Sequence, residues 1–379
     1  MSQNKDIKCS FCGKSAGSVE SMITGPGVYI CNECVHTCNS ILTNGEEDTA
    51  GKKSDQNSAP MDYKELPTPR EMKEYFDTYI IGQDAAKIGI SVAAYNHYKR
   101  LYSRIDQDDV ELEKSNVMLL GPTGTGKTLI AKTLAGLLDV PFTIVDATVF
   151  TEAGYVGEDV ENILARLLSA ADNDVERAQR GIIYIDEFDK IGRKSANPSI
   201  TRDVSGEGVQ QSLLKIIEGT TAQIAPNGGR KHPEQKLTEI DTTDILFICG
   251  GAFVGLEDVI EKRTSRGGMG FTKELLEANS DREDNLLQLC EPQDIVHFGI
   301  IPELIGRIPV IFALRHLDKE MMLKILREPQ NSLIKQYTKL FEMDNCSLTF
   351  DDDALLEVVS IAEQKRPGHG DYGMCSKQP

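Results

Sequence analysis

The segment Gly121-Pro122-Thr123-Gly124-Thr125-Gly126-Lys127-Thr128 fits the pattern G-x4-G-K-[ST]. Its surroundings constrain the chain further. An apolar run, Val117 to Leu120, ends directly before it, and a helical apolar pattern from Leu129 to Leu138 follows. In such a strand–loop–helix unit, glycines let backbone N–H groups converge on phosphates, and the helix start adds positive potential. Lys127 is then expected to reach the β and γ phosphates, and the Thr128 hydroxyl to hold Mg2+. The segment Gly121 to Leu129 therefore predicts a nucleoside triphosphate site.

Four further apolar runs alternate with helical patterns: Phe142 to Val145, Ile182 to Ile185, Ile245 to Cys249 and Val310 to Leu314. The alternation predicts an α/β fold, a mostly parallel sheet between two layers of helices. A helix is expected over Asp84 to Tyr98, with Ile88, Val92 and Tyr95 at helical spacing, behind Pro67 and Pro69. The run Ile182-Ile183-Tyr184-Ile185 ends in Asp186-Glu187. Beside a phosphate loop, Asp186 is placed to assist Mg2+ and Glu187 to polarise an attacking water. A second acid directly after the magnesium acid favours hydrolysis over transfer to a small acceptor.

Cysteine placement marks a separate module. Five of the nine cysteines lie between residues 9 and 38, and Cys9-x2-Cys12 with Cys31-x2-Cys34 has the spacing of a four-thiolate zinc site. About forty residues hold too little core to fold unaided, so a structural Zn2+ would supply the missing stability. Unrelated buried thiols or two redox pairs are the alternatives, and His36 and Cys38 are spare ligands. Cys249, Cys290, Cys346 and Cys375 are scattered and read as core or surface thiols.

Residues 43–62 are rich in Gly, Ser, Asn and charged groups and read as a flexible linker. The expected domains are residues 1–42, a zinc module; 63–317, a large ATPase domain; and 318–379, a small, mainly helical domain. The last carries Met321, Met322, Ile325 and Leu326, then Leu333, Ile334, Tyr337 and Leu340, at helical spacing. A short strand is expected at Ser347 to Phe350 and another helix from Asp353 to Gln364. A formal charge of −18 disfavours broad nucleic-acid binding. The first residues lack a secretory pattern and no apolar run is long enough to span a bilayer, so a cytoplasmic protein without a membrane role is expected.

Together with Gly154-Tyr155-Val156-Gly157, these features resemble the ClpX family, the AAA+ unfoldases that work with the ClpP peptidase. The likeness runs from about Lys8 to about Ala362. It implies ATP as the nucleotide, a homo-hexameric ring, protein substrates and adaptors, and a ClpP-type peptidase as partner; the zinc module is a candidate for dimerisation. By resemblance, Tyr155 and Val156 line the pore and grip substrate, and Arg230, Lys231 and His232 form a basic loop at the pore mouth. Ser195 to Ser205 matches a second pore loop. Ile80 and Ile81, in Tyr79-Ile80-Ile81-Gly82-Gln83, flank the adenine. Arg307, after Gly306, is the arginine finger that reaches a neighbouring subunit's γ phosphate. Taken alone, the Tyr155 loop is an ordinary turn, the basic run a solvated surface and Arg307 a salt-bridge partner.

Two departures qualify the resemblance. Met269-Gly270-Phe271 stands where the family docks onto the peptidase through a branched aliphatic residue, Gly and Phe, although methionine still fills an apolar pocket. After Gln364 the helical period stops at Pro367 and Gly368, and the family's Gly-Ala-Arg-Gly segment has no counterpart. The helical domain is therefore expected to be incomplete, with nucleotide-coupled motion impaired. A nucleotide-gated zinc-ribbon scaffold and a nucleic-acid motor are the competing readings.

Overall fold

The structure is a computed structural model describing residues 8–15, 19, 21–25, 27–32, 34–35, 66–103, 114–150, 159–192, 206–224, 237–266 and 286–364. The chain divides into two compact units, Met1–Pro60 and Met61–Pro379.

The first unit is built on an antiparallel hairpin, β1 (Met22–Gly25) and β2 (Val28–Cys31), with Met22 opposite Cys31. Val28, Tyr29 and Ile30 favour extended backbone, yet a two-stranded ribbon buries little. Phe11, Ile23 and Val28 are all more than half exposed. A bridge between Lys8 and Ser15 closes the turn that carries Cys9 and Cys12.

The second unit contains a five-stranded parallel sheet, β3 (Val117–Leu120), β4 (Phe142–Asp146), β5 (Ile182–Asp186), β8 (Leu246–Gly251) and β9 (Val310–Ala313), in the order β4-β5-β8-β3-β9. A separate antiparallel pair, β6 (Thr221–Ile224) and β7 (Thr238–Asp241), stands apart from it. The three inner strands read as unbroken apolar runs because helices cover both faces. Alternate residues divide between two cores: Met118, Ile183, Ile185 and Phe247 on one face, Val117, Leu119, Ile182, Tyr184 and Ile248 on the other.

The second of these faces is covered by α1 (Pro69–Tyr79), α2 (Asp84–Ser103) and α3 (Lys127–Leu138). The first is covered by α4 (Asn162–Ala170) and α5 (Glu207–Glu218), among others. The α1 helix starts where Pro69 permits, behind a Thr68–Glu71 capping box.

Helix α2 forms as expected but presents a different side to the core. Ile88 and Val92 are 52% and 42% exposed, whereas Ala86, Ile90, Ala93, Ala94 and Tyr98 are buried. Close approach decides this. A Cβ on Gly89 would lie 2.0 Å from Cζ of Phe312, so the glycine side meets β9 and the bulky Ile88–Val92 stripe turns outward.

Beyond the sheet, α6 (Lys319–Arg327), α7 (Leu333–Met343) and α8 (Asp352–Gln364) follow, each of the first two capped by a side chain, Asp318 or Ser332. The apolar spacing makes these helices without burying them. Leu333, Tyr337 and Leu340 are each more than half exposed, while Leu355 and Val359 of α8 are buried. No strand forms at Ser347 to Phe350, which has no extended neighbour to pair with among the described residues. Among the described residues, no helix is long and apolar enough to cross a membrane.

Candidate nucleotide and metal sites

The phosphate loop leaves the C-terminal end of β3, the end at which parallel sheets offer a crevice to ligands. Gly126 caps α3 in the left-handed region at φ 100° and offers the first turn no side-chain acceptor. That combination leaves backbone donors converging at a positive helix end. Lys127 is 8% exposed, and its Nζ donates to the carbonyls of Gly121 at 2.6 Å and Pro122 at 2.8 Å. Burial pulls its ammonium below the usual lysine range, opposed by the charges of Asp186 and Asp189. The Thr125 hydroxyl donates to the Pro122 carbonyl at 2.9 Å and steadies the loop from within.

The sheet brings the two halves of the site together. Strand β5 ends at Asp186, whose Oδ2 accepts from the Thr128 hydroxyl at 3.2 Å. Its Oδ1 accepts from the Glu187 N–H at 3.0 Å and from the Tyr184 phenol at 3.3 Å. Glu187 is exposed and left-handed at φ 51°, so the chain leaves the strand line directly after β5 ends. Two residues on, Asp189 is 7% exposed, and its Oδ1 accepts from the Ala252 N–H at 3.2 Å, fastening this turn to the end of β8.

Pro122, Thr123 and Gly124 complete the loop between strand and helix, and Leu129, in the first turn of α3, is 46% exposed. Ile80 is 4% exposed and belongs to the core, whereas Ile81 is half-buried, so Ile81 keeps the accessible apolar surface of that pair. Arg307, 54% exposed in its side chain, donates from Nε at 2.8 Å and pairs through Nη2 at 2.7 Å with Glu218 Oε1. Its backbone carbonyl accepts from the buried amide of Asn116, which in turn accepts from the Phe247 N–H. Tyr155, Val156, Arg230, Lys231, His232, Met269, Gly270 and Phe271 lie outside the described residues, as do His36, Cys38, Ser195 to Ser205, residues 43–62 and the tail after Gln364.

In the first unit, the Sγ atoms of Cys9, Cys12, Cys31 and Cys34 all lie within 4.8 Å of one another. The Cys9–Cys34 and Cys12–Cys31 sulfurs are 3.8 and 3.6 Å apart. Tetrahedral zinc with bonds of ~2.3 Å requires sulfurs ~3.8 Å apart, so the cluster fits the metal. The Cys31 N–H donates to Cys9 Sγ at 3.3 Å. Backbone N–H groups, that of Cys12 foremost, draw the Cys9 thiol down to about 6, whereas hydrogen bonding with Cys12 pushes Cys34 up. All four sulfurs become thiolates together only beside a cation.

Several contributors escaped the sequence reading. Tyr184 looked like one more apolar strand residue, although two-residue spacing puts it on the face of Asp186. Asp189 lay just beyond the paired acids. Asn116, Glu218 and Gln83 gave no local signal, since their partners are remote in sequence.

Two family models match the chain. The ClpX C4-type zinc finger covers residues 7–44, and the AAA domain (Cdc48 subfamily) covers residues 112–311. The first spans the cysteine cluster; the second contains the phosphate loop, the Asp186 strand and Arg307. With the AAA match spanning more than half of the 379 residues behind a ClpX-type finger, the chain belongs to the AAA family as a ClpX-like AAA+ ATPase that uses ATP with Mg2+ and carries structural zinc.

Proposed function

We propose that this ATPase unfolds protein substrates and translocates them into a separate ClpP-type peptidase, working as a homo-hexamer. The observation that carries the reading is the contact between Thr128 and Asp186 in a chain whose N-terminal module matches the ClpX finger. In this reading Lys127 exchanges its loop carbonyls for phosphate oxygens, and the N–H groups from Gly121 to Thr128 cradle the phosphates. Thr128 and Asp186 hold Mg2+, which supplies charge neutralisation on the triphosphate when bound. Glu187 orients and deprotonates the attacking water, and Ile81 and Leu129 shape the base and ribose side.

Arg307 is assigned to the γ phosphate of the neighbouring subunit. Its exposure and its position at the end of a short helix support that role: Glu218 holds one edge of the guanidinium and leaves Nη1 uncommitted to Glu218. Tyr155 and Val156 are assigned to the substrate grip, Arg230, Lys231 and His232 to the pore mouth, and Met269, Gly270 and Phe271 to peptidase docking. The zinc module recognises substrates or adaptors and dimerises in the assembly.

The test is ATP-dependent loss of fluorescence from a tagged fluorescent protein, with and without a ClpP-type peptidase. Unfolding that stops in a Glu187→Gln variant supports the reading. Steady ATP turnover with no unfolding of any tagged substrate would overturn it and favour a scaffold.

A further inference from the structure

The strand that delivers the magnesium acid carries a polar atom that its apolar pattern does not need. Tyr184 is fully buried among Val117, Leu119, Ile130 and Ile248, and its phenol oxygen alone meets polar atoms. A buried hydroxyl without a partner costs roughly 1–3 kcal/mol, so phenylalanine would be the simpler core residue unless the hydroxyl is used. The fold also makes room for it. A Cβ on Gly250, in the adjacent strand, would lie 2.1 Å from the Tyr184 oxygen. Glycine at 250 is therefore a condition for the tyrosine.

The phenol donates to Asp186 Oδ1 at 3.3 Å, where the Glu187 N–H also donates at 3.0 Å. Two donors thus occupy Oδ1 and fix the carboxylate plane. Oδ2 is left facing Thr128, on the phosphate-loop side.

We infer that Tyr184 is a positioning residue for magnesium: its phenol and the Glu187 N–H together commit Oδ1, so that Asp186 offers Oδ2 to the cation beside Thr128. The inference rests on the assignment of Asp186 as the magnesium carboxylate. It adds an outer-shell contact of the kind whose loss typically lowers metal affinity 10- to 100-fold.

The experiment is a Mg2+ titration of the full chain, following equilibrium binding of a fluorescent non-hydrolysable ATP analogue, for the parent, Tyr184→Phe and Asp186→Asn. Tyr184→Phe keeps the ring and the packing, so its melting temperature and its analogue binding in EDTA are expected to match the parent. Its half-saturating Mg2+ concentration is expected to rise about 10-fold. If Asp186→Asn shifts the titration and Tyr184→Phe does not, the role of Tyr184 falls and the magnesium assignment stands. If neither variant shifts it, the magnesium assignment falls and takes the inference with it. Loss of analogue binding by Tyr184→Phe in EDTA as well would reduce the tyrosine to a packing residue.

Discussion

The side-chain amide of Gln83 pairs with the backbone of Arg315 in both directions: Nε2 donates to the carbonyl at 2.8 Å, and Oε1 accepts from the N–H at 2.9 Å. Gln83 is 7% exposed and sits at φ 57° in the turn between α1 and α2 that carries Ile80 and Ile81. Arg315 begins the stretch that leads from β9 to α6. The expected base-binding turn and the root of the C-terminal helices are therefore one hydrogen-bonded structure. Met321 of α6 adds to it by packing against Gly82.

Replacing Gln83 with Ala leaves a backbone donor and acceptor of Arg315 without these partners. A loss of roughly 1–3 kcal/mol in unfolding free energy is expected. Hydrogen exchange read by mass spectrometry should show faster exchange in the peptide containing Arg315 and Leu317. Unchanged protection there would mean that the pairing does not hold the turn in solution.

Glu187 is exposed, so a neutral amide of the same shape should leave the fold intact. Glu187→Gln is expected to bind nucleotide as tightly as the parent while turnover falls by roughly 100-fold or more, the usual contribution of a general base. As the proposed arginine finger, Arg307 should cost more when replaced by Ala, about 1,000-fold or more in turnover. As an exposed pair, Arg307–Glu218 contributes only ~0–1 kcal/mol to folding. Calorimetry and a phosphate-release assay separate binding from turnover; wild-type turnover in either variant would remove that residue from the chemistry.

Cys12 is exposed, yet it supplies one of four sulfurs that a small hairpin cannot replace with apolar burial. Cys12→Ser should lower zinc content and melt the first unit, since binding energy and folding energy are the same quantity there. Chelation of the parent should do likewise. Metal analysis with circular dichroism of the first unit checks this; a finger that stays folded with no metal would contradict it.

Lys114 gives a pH signature. Its ammonium donates to the carbonyls of Thr242 and Ile217 at 2.8 and 3.2 Å and lies over the ring of Phe247. Burial, aided by Arg100, lowers its pKa to about 7. In the unfolded chain the value returns to ~10.4, so between these limits the unfolded state binds the extra proton. Stability contributed at this site therefore rises with pH across that window, and the cost of burying the charge is complete below about 7. In urea titrations from pH 7 to 10, the parent should gain stability relative to Lys114→Met. A pH-independent difference would show that the lysine keeps its proton when folded.

Spacing along the chain was enough to place two local chemistries. The CxxC pairs and the G-x4-G-K-T loop each gather their groups within a turn or two of backbone, so residue order implies geometry. Apolar periodicity likewise yielded the five parallel strands, the helices that flank the phosphate-loop strand and the three that follow β9. Periodicity does not say which side of an element meets the core. In α2 the Ile88–Val92 stripe lost to the Gly89–Ala93 side because only that side lets the helix approach Phe312. Nor does it bring remote groups together. Thr128 meets Asp186 across 58 residues because the parallel sheet ends β3 and β5 on the same side, and Gln83 meets Arg315 across 232 because α2 packs against β9. Tyr184 belongs to both accounts: its strand was legible in the residues, but the gap that Gly250 leaves for its hydroxyl exists only where two strands pack in register.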